Sequence, residues 1–358
     1  MNSKILENVF IENLVKNFRR SPLQRNKLQE SDAELIEIPG LNSLLAITSD
    51  NLVEEIESGL YSDPFLIGWM TIMINLSDLA AVGAKPLGIV INETLKPVLD
   101  NTYLQKLQSG IEEACAICGT YVLGGDTNFS DRMAIGGCAI GLASKNNSLT
   151  RIGGKPGDIL FATCKFGLGN AYALQEFSQN ARDKNHSDNF KSSETKKIVY
   201  KPVAKLKEGI LIRNYASCCM DTSDGFFTTL DQLIRLNNIG FRIDVNPEEL
   251  IHLDAIKLSN IFNFSPLLML AGIHGEFELL FTVPEAKVDD FLNSAKNNGQ
   301  FPIKVGRTIP EAKIFIESDK HTAEIDTGRI RNLFYEFGND IPKYIQELNF
   351  LLNRSSVK

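Results

Sequence analysis

Between Trp69 and Ala80 the apolar residues Trp69, Ile72, Met73, Leu76, Leu79 and Ala80 return every three or four positions, which places them along one side of an α-helix. The stretch predicts a buried helix. Asn75 and Asp78, three apart, fall on one face beside that stripe. A carboxylate against a core is costly unless a cation meets it, so either a metal or basic partner sits there, or the face is solvated or forms an internal cap. Elsewhere the apolar pattern changes. Pro86 to Leu95, Tyr121 to Leu123, Met133 to Ala143, Ile159 to Thr163, Gly240 to Val245 and the run Gly275-Glu276-Phe277-Glu278-Leu279-Leu280-Phe281 predict strands. Ile5 to Phe18, about Asp100 to Cys118, and the residues after Gly225 through Leu230 and Leu233 predict helices, and Arg329 to Asn353 reads as one or two more. Strands alternating with helices predict α/β layers with ligand sites at strand ends. Residues 179 to 197 are polar without apolar periodicity and predict a mobile loop or lid.

A length of 358 residues predicts two domains. The turn-rich Gly153-Gly154-Lys155-Pro156-Gly157-Asp158 marks the junction. The expected division is a helical segment over 1–35, a first domain over 36–150, a second over 151–320 and a helical extension over 321–358. Hydrophobic residues at 43% and charged ones at 23% are ordinary globular values. A net charge of −7 argues against a nucleic-acid surface, which needs a basic stripe. No apolar run approaches the ~20 residues of a membrane span, and Lys4, Glu7 and Glu12 interrupt any signal-peptide core. The chain is therefore expected to be cytoplasmic, with no nucleic-acid or membrane partner.

Six cysteines give no disulfide framework in a chain of this size. Cys115 and Cys118 form a lone CxxC inside a helical pattern with no second pair for zinc, so they read as core residues. Cys218 and Cys219 lie on an expected buried strand and read the same way. The histidines, His186, His252, His274 and His321, are scattered and make no Ser-His-Asp or Cys-His arrangement.

The informative chemistry is aspartate at strand ends. Ala46-Ile47-Thr48-Ser49-Asp50, Tyr121-Val122-Leu123-Gly124-Gly125-Asp126-Thr127 and Cys218-Cys219-Met220-Asp221-Thr222-Ser223-Asp224-Gly225 each read as apolar strand, Asp, then a turn or helix start. Carboxylates at strand ends converge on one rim, where hard oxygen ligands share Mg²⁺ with a polyphosphate. Asp50 also suits a simple turn, and Ser223 or Asp224 a helix N-cap. Gly124 and Gly125 let backbone approach a phosphate. Gly167-Leu168-Gly169 before a helix either offers amides to an anion or makes a tight turn.

These motifs carry a resemblance. Asn75-Leu76-Ser77-Asp78-Leu79-Ala80-Ala81-Val82-Gly83-Ala84, Gly124-Gly125-Asp126-Thr127, Met220-Asp221-Thr222-Ser223-Asp224-Gly225 and Gly275-Glu276-Phe277-Glu278-Leu279-Leu280-Phe281 occur in the order expected for the aminoimidazole-ribonucleotide-synthetase-like superfamily. From about Leu44 to about Arg307 the chain looks most like its thiamine-monophosphate kinase branch. The resemblance implies a two-domain α/β fold. The N-terminal domain would contribute to an intersubunit β-barrel in a homodimer, and a C-terminal α/β sandwich would close over the nucleotide. It implies ATP and Mg²⁺ as cofactors and a small-molecule phosphate acceptor. Asp50, Asp78, Asp126 and Asp221 would be metal residues. Gly124, Gly125, Asp126, Thr127, Asn75, Ser223 and Asp224 would bind the nucleotide, and Asp221 and Lys205 would be catalytic. Lys205, with Lys201, falls in Tyr200-Lys201-Pro202-Val203-Ala204-Lys205, where related kinases carry a basic residue.

Three departures stand out. The family's Gly-Asp-Asp-Ala-Ala loop is matched to Ile36-Glu37-Ile38-Pro39-Gly40-Leu41-Asn42-Ser43, which has no aspartate pair; Asp32, Glu34 and Glu37 are possible stand-ins, none in the motif position. The Gly-Val-His that follows Asp50 in the family becomes Glu55-Ile56-Glu57. The Gly-Gly-Glu-Asp-Tyr-Glu segment shortens to His274-Gly275-Glu276-Phe277-Glu278, closer to other branches such as the hydrogenase-maturation type. The expectation is an ATP- and Mg²⁺-dependent phosphotransferase resembling thiamine-monophosphate kinase. The alternatives are a relative that phosphorylates an amide or carbonyl oxygen before its displacement, and a non-catalytic nucleotide-binding relative.

Overall fold

The computed structural model describes residues 4–183, 196–272, 274–318, 321–338 and 340–355. Most of the segment expected to be a loop or lid, residues 184–195, lies outside the described residues. After helix α1 (Leu6–Val15), a five-stranded sheet is built from β1 (Glu34–Glu37), β2 (Ser43–Asn51), β3 (Lys85–Leu95), β4 (Val122–Phe129) and β5 (Ala134–Ser144), in the order β1-β2-β5-β3-β4. Helices α2 (Val53–Glu57), α3 (Pro64–Ala81) and α4 (Asn101–Cys118) belong to this half of the chain. The second half holds β6 (Ile159–Ala162), α5 (Leu168–Asp183), α6 (Leu206–Ile212), β7 (Cys218–Asp221), α7 (Phe226–Asn237), β8 (Gly240–Ile243), α8 (Leu253–Ile261) and α9 (Leu268–Ala271). It continues with β9 (Leu279–Val283), α10 (Val288–Asn297), β10 (Ile303–Ile309), β11 (Ile314–Ser318), β12 (His321–Ile325), α11 (Thr327–Phe337) and α12 (Ile341–Ser355). Its seven strands order as β12-β11-β8-β10-β6-β9-β7. The architecture is mixed α/β with two sheets.

Helix α3 joins the two. Asp63 caps it by accepting from the Phe65 amide, and Pro64 opens its first turn, a start signal written in the sequence. Nearly every residue from Leu66 to Ala81 is buried, because the helix touches β2, β3 and β5 of the first sheet as well as β7 of the second. By length and composition α3 could cross a membrane, but 83% of its apolar window is buried inside the protein. Each fully buried large side chain contributes roughly 1.5–3 kcal/mol, so Trp69, Met70, Ile72, Met73, Leu76 and Leu79, all at 1% exposure or less, anchor the helix firmly. Contact with α4 is backbone to backbone: a Cβ at Gly68 would meet the Leu107 carbonyl at 2.1 Å, and one at Gly110 the Phe65 carbonyl at 2.0 Å.

Two strand expectations change. Val122–Phe129 is one continuous strand, paired in parallel with β3, so Asp126 sits in mid-strand and no turn follows Gly125. The strand expected over 275–281 begins only at Leu279. Phe277 takes a left-handed backbone, φ +56°, rare for a bulky residue, and the loop it bends aims Glu276 and Glu278 inward instead of pairing them in the sheet. Cys115 and Cys118 pack as core residues, with burial pushing their thiols up to about 12 and about 11.

Candidate active site

The carboxylates converge where α3 lies between the end of β2 and the end of β7. Ligand oxygens of Asp32, Asp78 and Asp221 all lie within 4.8 Å of one another. Asp50 stands beside them, sharing a hydrogen bond with Asp78. Four residues fix the set. Thr48 Oγ1 donates to Asp78 Oδ2 at 2.5 Å, and Ser77 Oγ donates to Asp221 Oδ2 at 2.6 Å. Asn75 Oδ1 accepts from the Asp50 amide at 3.0 Å, and Arg151 donates through Nε and Nη2 to Asp32 Oδ1 at 3.1 and 2.8 Å.

The electrostatics are unbalanced. Burial, then the charges of Asp221, Asp50 and Asp32, hold Asp78 well above the ordinary carboxylate range. Burial followed by Asp32 raises Asp221 against the lowering pull of Ser77 and Arg151. Asp50 stays open to solvent at the rim, and partial burial of its carboxyl raises it too. Two oxygens, Asp32 Oδ2 and Asp221 Oδ1, are buried with no hydrogen-bond partner among the described residues. Leaving a buried acceptor unsatisfied costs on the order of 1–3 kcal/mol, and more for a charged group. Hard oxygens, excess negative charge and orphaned acceptors together fit a divalent cation of the Mg²⁺ type.

The other expected site residues fall out differently. Asn75 is fully buried, and its amide donates to the Thr71 carbonyl at 3.0 Å while its oxygen holds Asp50, so it positions the rim and has no group left for a ligand. Ser223 and Asp224 do not cap α7, whose N-cap is Gly225 with no side-chain bond; both remain available. Gly124, Gly125, Asp126 and Thr127 lie on β4, exposed along its whole length. Asp126 shares a row with Asn92, Gly136 and Asn51, one residue off the row of Asp50 and so on the other face. Along the sheet it is three strands from β2, about 14 Å at the usual spacing; the structure does not bring it to the rim. Gly125 is accounted for by packing, since a Cβ there would meet the Ile91 carbonyl at 2.0 Å.

Lys205 pairs with Glu278 at 3.0 Å, and although burial alone would lower its ammonium, that partner raises it. Lys201 is held over the Trp69 ring at 3.9 Å and by Glu113 at 2.6 Å. The Gly167 and Gly169 amides do meet an anion, but it belongs to the chain: Glu276 Oε1 accepts from them at 2.8 and 2.7 Å.

The sequence shows no aspartate pair at 36–43 and offers Asp32 only as a possible stand-in outside the motif position. Asp32 nonetheless takes part, and Glu30-Ser31-Asp32-Ala33-Glu34 fits the Gly-Asp-Asp-Ala-Ala loop with one aspartate kept. Ser77, Thr48 and Arg151 were missed. Thr48 was within reach, because it lies two residues before Asp50 on the same strand face.

Beside the rim lies a cavity of about 260 Å³ lined by Glu54, Glu55, Asp224, His274, Phe334 and Tyr344 among others. Residues 30–143 match the AIR synthase related protein, N-terminal domain family. The thiamine-monophosphate kinase of Archaeoglobus fulgidus is 30% identical over 288 residues, covering 80% of this chain and 84% of that one. The chain belongs to the thiamine-monophosphate kinase family. Among solved structures, AaThiL complexed with AMPPCP and TMP shares 20% identity at a TM-score of 0.68, covering 90% of this chain and 99% of that one. The HypE–HypF complex reaches 0.69 at 17% identity, covering 88% and 98%. At these identities the likeness shows the fold that the kinase family has in common with its structural neighbours.

Proposed function

We propose that this chain is an ATP- and Mg²⁺-dependent kinase that transfers the γ-phosphoryl group of ATP to the phosphate of thiamine monophosphate, giving ADP and thiamine diphosphate. The observation that carries this reading is the rim of Asp32, Asp50, Asp78 and Asp221 with its two orphaned oxygens. Bound there, Mg²⁺ would neutralise the charge on the transferring phosphates. The chain's own part is positioning. Ser77, Thr48, Asn75 and Arg151 hold the four carboxylates in place before any ligand arrives. Asp221 would orient metal or acceptor, and the neighbouring cavity, lined by Asp224 of the same turn, would take the acceptor's rings. Lys205, kept charged by Glu278, would steady phosphate charge. The exposed row of Asp126 and Asn92, with Gly124, Gly125 and Thr127, would take the nucleotide's side.

The features that favoured the alternatives have structural accounts. Asp32 supplies a carboxylate although the family's aspartate pair is absent, and Glu276 holds the start of α5. We also infer a homodimer with an intersubunit barrel, supported by the β4 edge, where Tyr121 is 72% and Phe129 71% exposed beside unpaired strand edge. Sedimentation showing a monomer at micromolar concentration would sink the dimer.

The deciding assay supplies ATP, Mg²⁺ and thiamine monophosphate and follows both ADP and thiamine diphosphate. Diphosphate should form, and Asp78→Asn should lower its rate by about 10²–10³, the scale of losing one preorganised electrostatic contact. ADP without diphosphate would mean another acceptor, and no ADP a silent relative.

A further inference from the structure

We propose that Glu278 is a positioning residue for the phosphoryl transfer: it clamps Lys205 so that the ammonium is presented to the transferring phosphate at the aspartate rim. The inference rests on the kinase reading above and adds a residue that acts through Lys205. The elements that carry the rim also carry this pair. Glu278 donates its amide to Thr222 Oγ1 at 3.0 Å, one residue beyond Asp221. The Ala204 amide, next to Lys205, donates to Met73 Sδ at 3.4 Å, and Met73 lies one helical turn before Ser77, which holds Asp221. Helix α6, with Lys205 as its N-cap, lies backbone to backbone on α3: a Cβ at Gly209 would meet the Ala80 carbonyl at 2.0 Å.

Lysine brings a point charge on a flexible four-carbon stem, and loose placement forfeits the preorganisation on which electrostatic catalysis depends. Glu278 removes that freedom. Its Oε1 takes Lys205 Nζ at 3.0 Å, and its Oε2 accepts from Thr163 Oγ1 at 2.5 Å. Thr163 is locked in turn, because its hydroxyl oxygen accepts from the Leu279 amide at 2.9 Å. A carboxylate whose two oxygens both take donors has the arrangement of an ionised acid. The ammonium has three N–H groups; one goes to Glu278, and two are left for phosphate oxygens. Glu278 also decides the charge. The Lys205 and Glu278 side chains are only 22% and 10% exposed, and burial by itself drives a lysine toward its neutral form. Glu278 outweighs that burial at Lys205, with smaller contributions from Cys164 and Glu208. Burial raises Glu278 in turn, while Lys205 and Thr163 pull it down; Glu208 and Glu276 are the acids that face it. Lys201 offers no substitute, being held by Glu113 and the Trp69 ring.

The experiment introduces Glu278→Gln into the full chain and takes two readouts, all in a Cys164→Ser background so that no thiol titrates beside Lys205. The first is acetylation of Lys205 by acetic anhydride at pH 8, followed by peptide mass spectrometry and normalised to the exposed Lys257. Only the free amine reacts, so the variant should be labelled at least about tenfold faster, the consequence of burial acting on a lysine without its partner. The second is kcat for thiamine diphosphate formation from pH 7 to pH 9. Glu278→Gln should lose about tenfold at pH 7 and about tenfold more by pH 9 as the ammonium deprotonates. In a Lys205→Arg background, whose guanidinium does not titrate, the same substitution should cost a constant factor across the range. Lys205→Met should lose about 10²–10³ in kcat at every pH, and adding Glu278→Gln to it should change kcat by less than about threefold, as for residues that act as a unit. Unchanged labelling, a pH-independent loss where Lys205 is present, or wild-type kcat in Lys205→Met would overturn the proposal. Turnover absent from the parent protein would sink the kinase reading instead, and the labelling would still decide whether Glu278 governs Lys205.

Discussion

Asp221 and Glu276 are near neighbours with opposite fates. Asp221 ends β7; Glu276 lies in the loop that enters β9, the strand paired to β7. Each is almost completely buried, at 1% and 7% exposure, and burial raises each carboxyl. Glu276 has two backbone amides at 2.7 and 2.8 Å, whereas Asp221 has one hydroxyl on one oxygen and nothing on the other. A buried acid whose hydrogen-bonding demand is met acts as a brace. One whose demand is unmet, in company with two more acids, is suited to meet a cation.

The sharpest way to break this contrast is to compare the metal response of the rim and of the brace. Wild type should be stabilised by Mg²⁺, by about 2.7 kcal/mol at a hundred times its dissociation constant. Asp78→Asn should lose most of that gain, and its metal-free form should melt no lower than wild type, because one of the mutually repelling carboxylates is gone. Glu276→Gln should keep the full response. Thermal melts with and without Mg²⁺ decide it; a lost response in the glutamine variant would put Glu276 in the metal site and dissolve the contrast.

Removing the brace itself should come next in size. Glu276→Ala leaves the Gly167 and Gly169 amides buried without an acceptor, at roughly 1–3 kcal/mol each before relaxation, so a loss of about 2–4 kcal/mol is expected in urea unfolding. Glu276→Gln keeps an acceptor oxygen and should lose about 1 kcal/mol or less by the same principle. Equal losses for the two would show that the side chain's volume, not its hydrogen bonds, matters at α5.

The contrast also explains what the sequence disclosed. The α3 stripe, and Asp50 and Asp221 at strand ends, were legible because periodicity is local, whereas the Asp63-Pro64 start, though equally local, was not read. The α/β class and the meeting of Asp50, Asp78 and Asp221, though not of Asp126, followed. What was hidden is pairing across long separations. Arg151 reaches Asp32 over 119 positions, Ser77 reaches Asp221 over 144, and Glu276 reaches Gly169 over 107. No local pattern distinguishes an amide pair that awaits a phosphate from one that already holds a glutamate. Gly124-Gly125 misled as to a turn for a related reason: Gly125 lies in mid-strand, where it serves the close approach of Ile91, a fact of the neighbouring strand.

The last comparison concerns charge alone. Burial lifts Glu276 from 4.5 to about 8, against the lowering pull of its amides. Between those values the folded state therefore holds a proton that the unfolded chain has released, so stability falls as pH rises. The stabilising contribution is complete below about pH 4.5, declines by at most about 1.4 kcal/mol per pH unit, and is gone once pH passes about 8. Glutamine cannot titrate. Subtracting the unfolding free energy of Glu276→Gln from that of wild type cancels the rim carboxylates, which both proteins share, and isolates this one group. The difference should drop from pH 5 to pH 8 and then level off. If it stays flat, the two amides keep Glu276 ionised throughout, and Asp221 differs from it in hydrogen bonding only, with burial alone too weak to hold a proton on either acid.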